Sequence, residues 1–324
     1  MTKRILTAVQ CSGMLHLGNI VSVISPTVQL LSNVDNEVFV FLADLHSFTS
    51  VRDPKLIDQY RYNAAAVWMA MGLDHHKAFF YRQSRIRGIC ELSWILNCLA
   101  PFPMLLNAHA FKDKSDKLSD VNVGLFDYPI LMCADILSIG AEYVPVGKDQ
   151  LQHIEIARDI AKFFNNRYGE TFTLPQPIVD GTVSVIPGID GSKMSKSYGN
   201  TIDIFVNDDD LYKRVMSIKT DSKSAYEPKN PDTCIIFKIY STVAGQDEVT
   251  SMRMSYLDGT MSYKNAKELL YNTILEKYRD HRRLYNEIVG NYRYIDMVLS
   301  DGERSVQSVV DGVINTVKKK LFLK

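Results

Sequence analysis

Apolar residues follow two rhythms along this chain. Through residues 1–203, short unbroken apolar runs alternate with longer stretches whose apolar positions recur every three or four residues. Residues 3–9 and 37–43 (EVFVFLA) are unbroken runs of the kind a parallel strand shows when both of its faces are covered, and 77–81 and 142–146 repeat the pattern more briefly. Helical spacing occupies 18–31, 54–71, 87–99, 129–139 and 149–165. The punctuation agrees: Asp53 can cap, Pro54 fits a first helical position, and Gly72 offers a left-handed stop. Pro26 falls inside the 18–31 run, where its ring displaces a backbone hydrogen bond, so a kink or an early end is expected there.

Strands alternating with helices predict an α/β fold, a Rossmann-like doubly wound parallel sheet. Beyond residue 203 the rhythm changes: 208–218, 233–243, 265–289 and 303–323 are helical in spacing, with few strand-like runs between them. A C-terminal helical domain over 204–324 follows, its last helix free to pack back on the first domain. No internal repeat or low-complexity segment interrupts either part.

Composition narrows the class. A chain of 324 residues with 46% apolar content can fill a sizeable core. Its 37 basic and 37 acidic residues cancel, so any surface for a polyanion must be local. Five cysteines, odd in number, without a CxxC pair and set in apolar segments, suit reduced thiols; neither a disulfide nor a zinc site is expected. The N-terminal MTKRILTAVQ has no apolar signal-peptide core, and the most apolar stretches, 38–43 and 95–106, fall short of the roughly 20 residues that span a bilayer. A soluble chain without a membrane partner is expected.

Ligands of an open α/β sheet bind where strand carboxyl ends meet helix starts, and the first such place holds residues 10–19, QCSGMLHLGN. Gly18 lets a nucleotide approach the backbone, and His16 and Asn19 can donate to phosphate oxygens. Taken alone this is also an ordinary strand-to-helix turn. The second signal, Lys193-Met194-Ser195-Lys196-Ser197, lies between glycine-containing flanks that imply a mobile loop. Two lysines and two serines can follow a triphosphate as charge builds on leaving pyrophosphate. Five fixed positions make chance occurrence in a chain of this length roughly one in ten thousand.

HLGN in the first strand-to-helix loop, with KMSKS far downstream, resembles the class I aminoacyl-tRNA synthetases. Asn19 stands where that family's first motif ends in His, as is usual in the tryptophanyl branch; His16 is the less usual feature. Residues 144–155, VPVGKDQLQHIE, are similar to the branch's segment joining a strand end to a long helix. The resemblance implies an ATP site of Gln10, Cys11, Ser12, Gly18, Asn19, Gly147, Lys148, Asp149, Val185, Lys193, Met194, Ser195, Lys196 and Ser197. Lys193, Lys196, Lys114 and His16 would act in catalysis, Lys114 from an insertion at about 85–140 in a catalytic domain of 1–203. Asp149 could equally be a plain N-cap.

Within the apolar run 127–137, Asp135 is a lone carboxylate and needs a donor. Either a nearby Lys or backbone N–H answers it, or it accepts the indole N–H of bound tryptophan, with Met132 one turn away packing on the ring. Tyr128, Gln150, His46 and Leu6 complete the pocket that the resemblance implies, with Asp44 beside His46. His153 reads as an ordinary helix face.

The implied reaction activates L-tryptophan with ATP and charges tRNA(Trp). Mg²⁺ would arrive with the nucleotide, without a dedicated protein site, and a cytoplasmic homodimer is expected. For the tRNA, Lys277, Arg279, Arg282, Arg283 and Arg293 offer a basic helical surface and 318–320 a second, although both also suit plain solvated faces. The rivals are a tyrosyl-type enzyme of the same family, a nucleotidyltransferase that adenylates a small carboxylate, and a non-catalytic tRNA-binding module. GKDQLQHIE and the MCAD run argue against the first, the long helical C-terminal region against the second, and the paired ATP motifs against the third.

Overall fold

The computed structural model describes residues 2–107, 121–147, 150–179 and 186–323. Strands β1 (Lys3–Gln10), β2 (Asn36–Ala43), β3 (Ala78–Arg82), β4 (Tyr143–Pro145) and β5 (Gln176–Ile178) form one parallel sheet in the order β3-β2-β1-β4-β5. The unbroken apolar runs have their cause here: Val38, Val40 and Leu42 are buried on one face of β2, and Phe39, Phe41 and Ala43 on the other. β1 pairs with β2 from Lys3 opposite Asn36 to Gln10 opposite Ala43, so the two strands end level. The order reverses at β1, and ligands of such sheets occupy the crevice beyond the carboxyl ends at that reversal. β5 has no counterpart in the apolar pattern, because a three-residue edge strand containing Pro177 carries no periodicity.

After β1 the chain runs through α1 (Leu17–Asn19), a π-helical turn (Ile20–Ile24) and α2 (Ser25–Leu30). The kink expected at Pro26 takes the form of that wider turn, closed by the Ser25 amide donating to the Ile20 carbonyl. α3 (Asp44–Ser47) and α4 (Pro54–Ala70) follow; the Asp53 side chain accepts from the Lys55 amide at 2.8 Å, and Gly72 takes the left-handed φ of 95°. α5 (Ile89–Asn97) and α6 (Phe102–Leu106) precede α7 (Val123–Ser138), and α8 is Leu151–Tyr168. α7 starts well before residue 129. Asn122 caps it by accepting from the Leu125 amide at 3.0 Å, and Pro129 is carried inside the helix. One forfeited hydrogen bond is outweighed there by the apolar burial of Leu125, Ile130 and Cys133.

The C-terminal helices are α9 (Asp208–Met216), α10 (Ile235–Val243), α11 (Gln246–Leu257), α12 (Tyr263–Lys277), α13 (Arg279–Ile288) and α14 (Tyr292–Lys320). The expected helix over 265–289 is divided at buried Tyr278, whose φ of −106° and ψ of 14° leave the helical region. α11 is absent from the apolar reading because it buries only Met252 and Tyr256. α14 begins eleven residues before the expected 303, where Asn291 accepts from the Tyr294 amide at 3.2 Å.

Two hydrophobic cores lie on the two sheet faces. One joins Val38, Val40 and Trp68 without a break to Ile239, Leu270 and Leu299 of the C-terminal helices. The other joins Leu6, Phe39 and Phe41 to Ala134, Ile160 and the distal α14 residues Val306, Val310, Ile314 and Val317. α14 therefore passes along β3 and serves both. Gly302 permits the passage, since a Cβ there would stand 1.9 Å from the Phe80 carbonyl oxygen. Buried Arg82, at the end of β3, donates to Asp296 at 2.7 Å and to Glu303 at 2.5 Å on α14. Among the described residues no helix is long and apolar enough to cross a membrane.

Candidate active site

The crevice at the sheet reversal gathers the two motifs. The Lys196 ammonium donates to the Gly13 carbonyl at 2.7 Å, and the Leu17 amide donates to the Ile202 carbonyl at 2.8 Å. Gly18 leaves space for the His16 ring, because a Cβ at that position would come within 2.9 Å of Cε1 and Nδ1. The first amide of α1, that of Leu17, is thus already engaged, and Asn19 Oδ1 accepts from the His16 amide at 3.2 Å. Burial, with Lys196 nearby, pushes His16 down to about 4. Its imidazole is neutral at pH 7 and offers a donor without a charge. Burial also pushes Lys196 down to about 8, against the pull of Cys11 and Asp203, so at pH 7 it is mostly the cation.

Residues 186–200, whose glycines imply a mobile loop, form a hydrogen-bonded hairpin. Met194 donates its amide to the Ile186 carbonyl at 2.9 Å, and Gly188 to the Ser192 carbonyl at 2.7 Å. Asn200, almost wholly buried, is the hub. Its Oδ1 accepts from the Ser195 amide at 2.8 Å, while Nδ2 donates to Asp190 at 2.8 Å and to the Lys193 carbonyl at 3.0 Å. Gly188 is required beside it, a Cβ there falling 2.3 Å from Asn200 Cγ. Met194 is buried with its sulfur facing Gly18, whereas Lys193 and Ser197 are exposed.

Asp135, 1% exposed on α7, anchors a second wall. Its Oδ2 accepts from His46 Nε2 at 2.9 Å and from Gln83 Nε2 at 2.8 Å, and Oδ1 shares the same Gln83 nitrogen at 2.9 Å. Among the described residues its donors are therefore two side chains, one on α3 and one directly after β3, and neither is a lysine or a backbone N–H. Burial pushes the Asp135 carboxyl up, and the His46 and Gln83 hydrogen bonds pull it back. A carboxylate has about four lone-pair sites, so Oδ1 keeps room for one more donor. Tyr128, Met132 and Asp135 share one helix face at i, i+4 and i+7. The Tyr128 hydroxyl lies 3.2 Å from His153 Nε2, and the His46 ring stands edge-on to Tyr128 with centroids 6.1 Å apart. Leu6 is buried on the same side of the sheet, and Gln150 is exposed just past Gly147, whose carbonyl accepts its amide at 2.9 Å.

Other expected residues stand differently. Lys114, Lys148, Asp149 and Val185 lie outside the described residues. The Cys11 thiol is fully buried and pushed up to about 12 by burial, so only its backbone can address a ligand. Gln10 Nε2 is spent on the His46 carbonyl at 2.9 Å, and Ser12 is half-buried in the turn. Asp44 is committed internally to the Leu45 and Ser84 amides, the Ser84 hydroxyl and Arg61. His153, read as an ordinary helix face, is buried with its ring against Tyr128. Gln83 and Asn200 carry no motif of their own. Their signals are positional: Gln83 directly follows a parallel strand, and Asn200 directly follows the basic loop.

The cations expected on the two basic surfaces stand in different settings. Arg282 is largely buried and holds the Ile204 carbonyl and Asp208, and Lys277 donates to the Val243 carbonyl at 2.9 Å. Arg279 pairs with Glu276, Arg283 with Asp280 and Glu287, Lys318 with Glu91, and Lys320 donates to the Gly169 and Glu170 carbonyls. Arg282 is thus turned inward, whereas Arg279, Arg283, Arg293 and Lys319 stay exposed. The crevice itself offers ammonium, imidazole, amide and hydroxyl groups, a donor set for phosphate oxygens, and among the described residues no three His, Cys, Asp or Glu side chains gather as a metal site.

The model of the class I tRNA synthetases (W and Y) matches residues 2–278. The tryptophan–tRNA ligase of Neisseria meningitidis is 40% identical over 325 residues, which cover 98% of this chain and 96% of that protein. The tryptophan–tRNA ligase of Campylobacter jejuni is 38% identical over 99% of this chain and its own whole length. The crystal structure of tryptophanyl-tRNA synthetase from Campylobacter jejuni complexed with ADP and tryptophan superposes with a TM-score of 0.91 over 99% of this chain and 100% of that one. A tyrosyl-tRNA synthetase from Archaeoglobus fulgidus shares the fold at 18% identity, with a TM-score of 0.68 over 88% of this chain.

Proposed function

The chain belongs to the class I tRNA synthetases of the tryptophan and tyrosine type, and from that premise we propose that it is a tryptophan–tRNA ligase. It joins L-tryptophan to ATP as tryptophanyl-adenylate and passes the acyl group to tRNA(Trp). The observation that carries the choice of amino acid is Asp135: a buried carboxylate with spare accepting capacity on the face that also presents Tyr128 and Met132. Such a group suits an indole N–H beside an aromatic-lined wall. The near-full-length likeness to tryptophan–tRNA ligases supports it, whereas the tyrosyl likeness extends to the fold alone.

The chemistry needs positioning and charge stabilisation. The tryptophan carboxylate attacks the α-phosphorus of ATP, and the bond to pyrophosphate breaks. Negative charge grows on the leaving group, where the Lys196 and Lys193 ammonium groups meet it and neutral His16 adds a hydrogen bond. Lys114 would join them from the insertion at about 85–140. A ribose hydroxyl of the tRNA then takes the acyl group, and AMP leaves. Mg²⁺ comes as part of the nucleotide substrate, in keeping with a crevice whose donors suit phosphate, and no protein ligand is assigned to it.

We assign catalysis to 1–203 and tRNA recognition to 204–324, α14 returning to the sheet. A homodimer is supported by an apolar surface on α5, α6 and α7, where Trp94 is 71% exposed, Phe102 64% and Val123 81%. The free cysteines among the described residues and the proposed substrates support a cytoplasmic location. ATP–pyrophosphate exchange with each of the twenty amino acids tests the whole reading. Exchange that depends on tryptophan is expected; exchange with tyrosine in its place would sink it.

A further inference from the structure

Gln83 is fully buried directly after β3. Its side-chain amide fits in one orientation only. The nitrogen faces both Asp135 oxygens, at 2.9 and 2.8 Å, and these accept; the oxygen faces the Leu45 and His46 amides, at 3.1 and 3.4 Å, and these donate. Its neighbours are committed elsewhere, Arg82 to Asp296 and Glu303 on α14, and Ser84 to Asp44. The amide is therefore held from both sides, spanning the start of α3 and the last turn of α7.

We propose that Gln83 is a specificity-positioning residue, which holds the Asp135 carboxylate in the orientation that leaves an Oδ1 lone pair for the ring N–H of the substrate. The inference rests on the tryptophan reading above. An amide N–H bonded to a carboxylate also favours its ionised form, opposing the burial that disfavours it. Among the described residues, the titratable groups around Asp135 include His46 and Asp44 on α3, Tyr81 on β3, Cys90 on α5 and Cys133 on α7, with Tyr128 on the same α7 face and His153 of α8 against it. Asp44 opposes ionisation as a like charge, and burial pushes Tyr81 and both thiols up, so they stay neutral.

The test is tryptophan affinity by calorimetry on the full-length protein between about pH 5 and 8.5, for wild type, Q83M, Q83E and D135N, with phenylalanine as the competitor that lacks the N–H. Wild type should lose affinity as pH falls and Asp135 protonates. Q83M should move that loss to higher pH, weaken tryptophan by about tenfold or more near neutrality, and narrow the preference over phenylalanine, with ATP affinity unchanged. Q83E keeps the size of the side chain and decides the matter if Q83M does not fold. Its carboxylate would repel Asp135 once the pair sheds its shared proton, and would replace the amide as donor while the proton is shared. Its affinity should accordingly rise on acidification, opposite in sign to wild type. Wild-type affinity and pH dependence in Q83E, with loss in D135N, would overturn the role of Gln83 and spare the pocket. Wild-type affinity and selectivity in D135N would overturn the pocket reading and this inference with it.

Discussion

Lys196 joins two tasks in one side chain: its stem fills space beside Gly13, and its ammonium, bonded to the Gly13 carbonyl, is carried to the crevice. Burial favours the neutral amine and lowers its value to about 8. The cation is the form that stabilises leaving pyrophosphate, so activity is supported below that value and lost as pH rises through it. kcat/KM for ATP should be level near neutrality and fall above about pH 8. Lys196→Ala should slow activation by about 10² to 10³ with little change in tryptophan affinity, and should abolish that alkaline limb. An unchanged single-turnover rate would reduce the loop to a solvated turn. His16, held down at about 4, contributes no inflection between pH 5 and 8. At this scale the residue types were legible from the motifs, but the engagement of Lys196 with Gly13, 183 positions away, was not.

Among the elements, α14 depends most on a single position. Where it crosses β3, a side chain at Gly302 would overlap the Phe80 backbone, which cannot yield without disturbing the strand pairing of Val40 with Phe80. Gly302→Val should therefore lower stability by at least about 1–3 kcal/mol in chemical denaturation, through overpacking. A midpoint equal to wild type would show that the helix has freedom to move away. Periodicity found most helices, and caps and stops such as Asp53 and Gly72 set their ends. It missed α11, whose buried stripe is thin, and it placed the start of α7 at Pro129, because the Asn122 cap is a hydrogen bond that leaves no repeat in the apolar pattern.

For the whole molecule, the exposed apolar residues of α5, α6 and α7 carry the dimer proposal. Exposed Trp94 and Phe102 carry most of its area, and burying large aromatics is what strengthens a protein interface. Trp94→Glu combined with Phe102→Ser should shift the sedimentation coefficient towards the monomer at micromolar concentration while leaving the fold intact by circular dichroism. A wild type that sediments as a monomer at that concentration would overturn the dimer proposal. The two cores give the reason the fold should survive: both are built from the sheet and the helices that cover it, and neither includes Trp94 or Phe102.

The nucleotide chemistry and the parallel sheet were determined by sequence alone, because phosphate recognition relies on short contiguous segments and a doubly covered strand has to be an unbroken apolar run. Tertiary structure decided what answers Asp135. Its donors lie 89 and 52 residues away in the chain, and they meet it because parallel strands of matched register end at one level. It also decided the fate of Arg282, which helical spacing left on a basic surface and which packing turned inward to hold Ile204 and Asp208. Periodicity reports which side of an element is apolar; which polar group a side chain meets depends on elements that only the folded chain brings together.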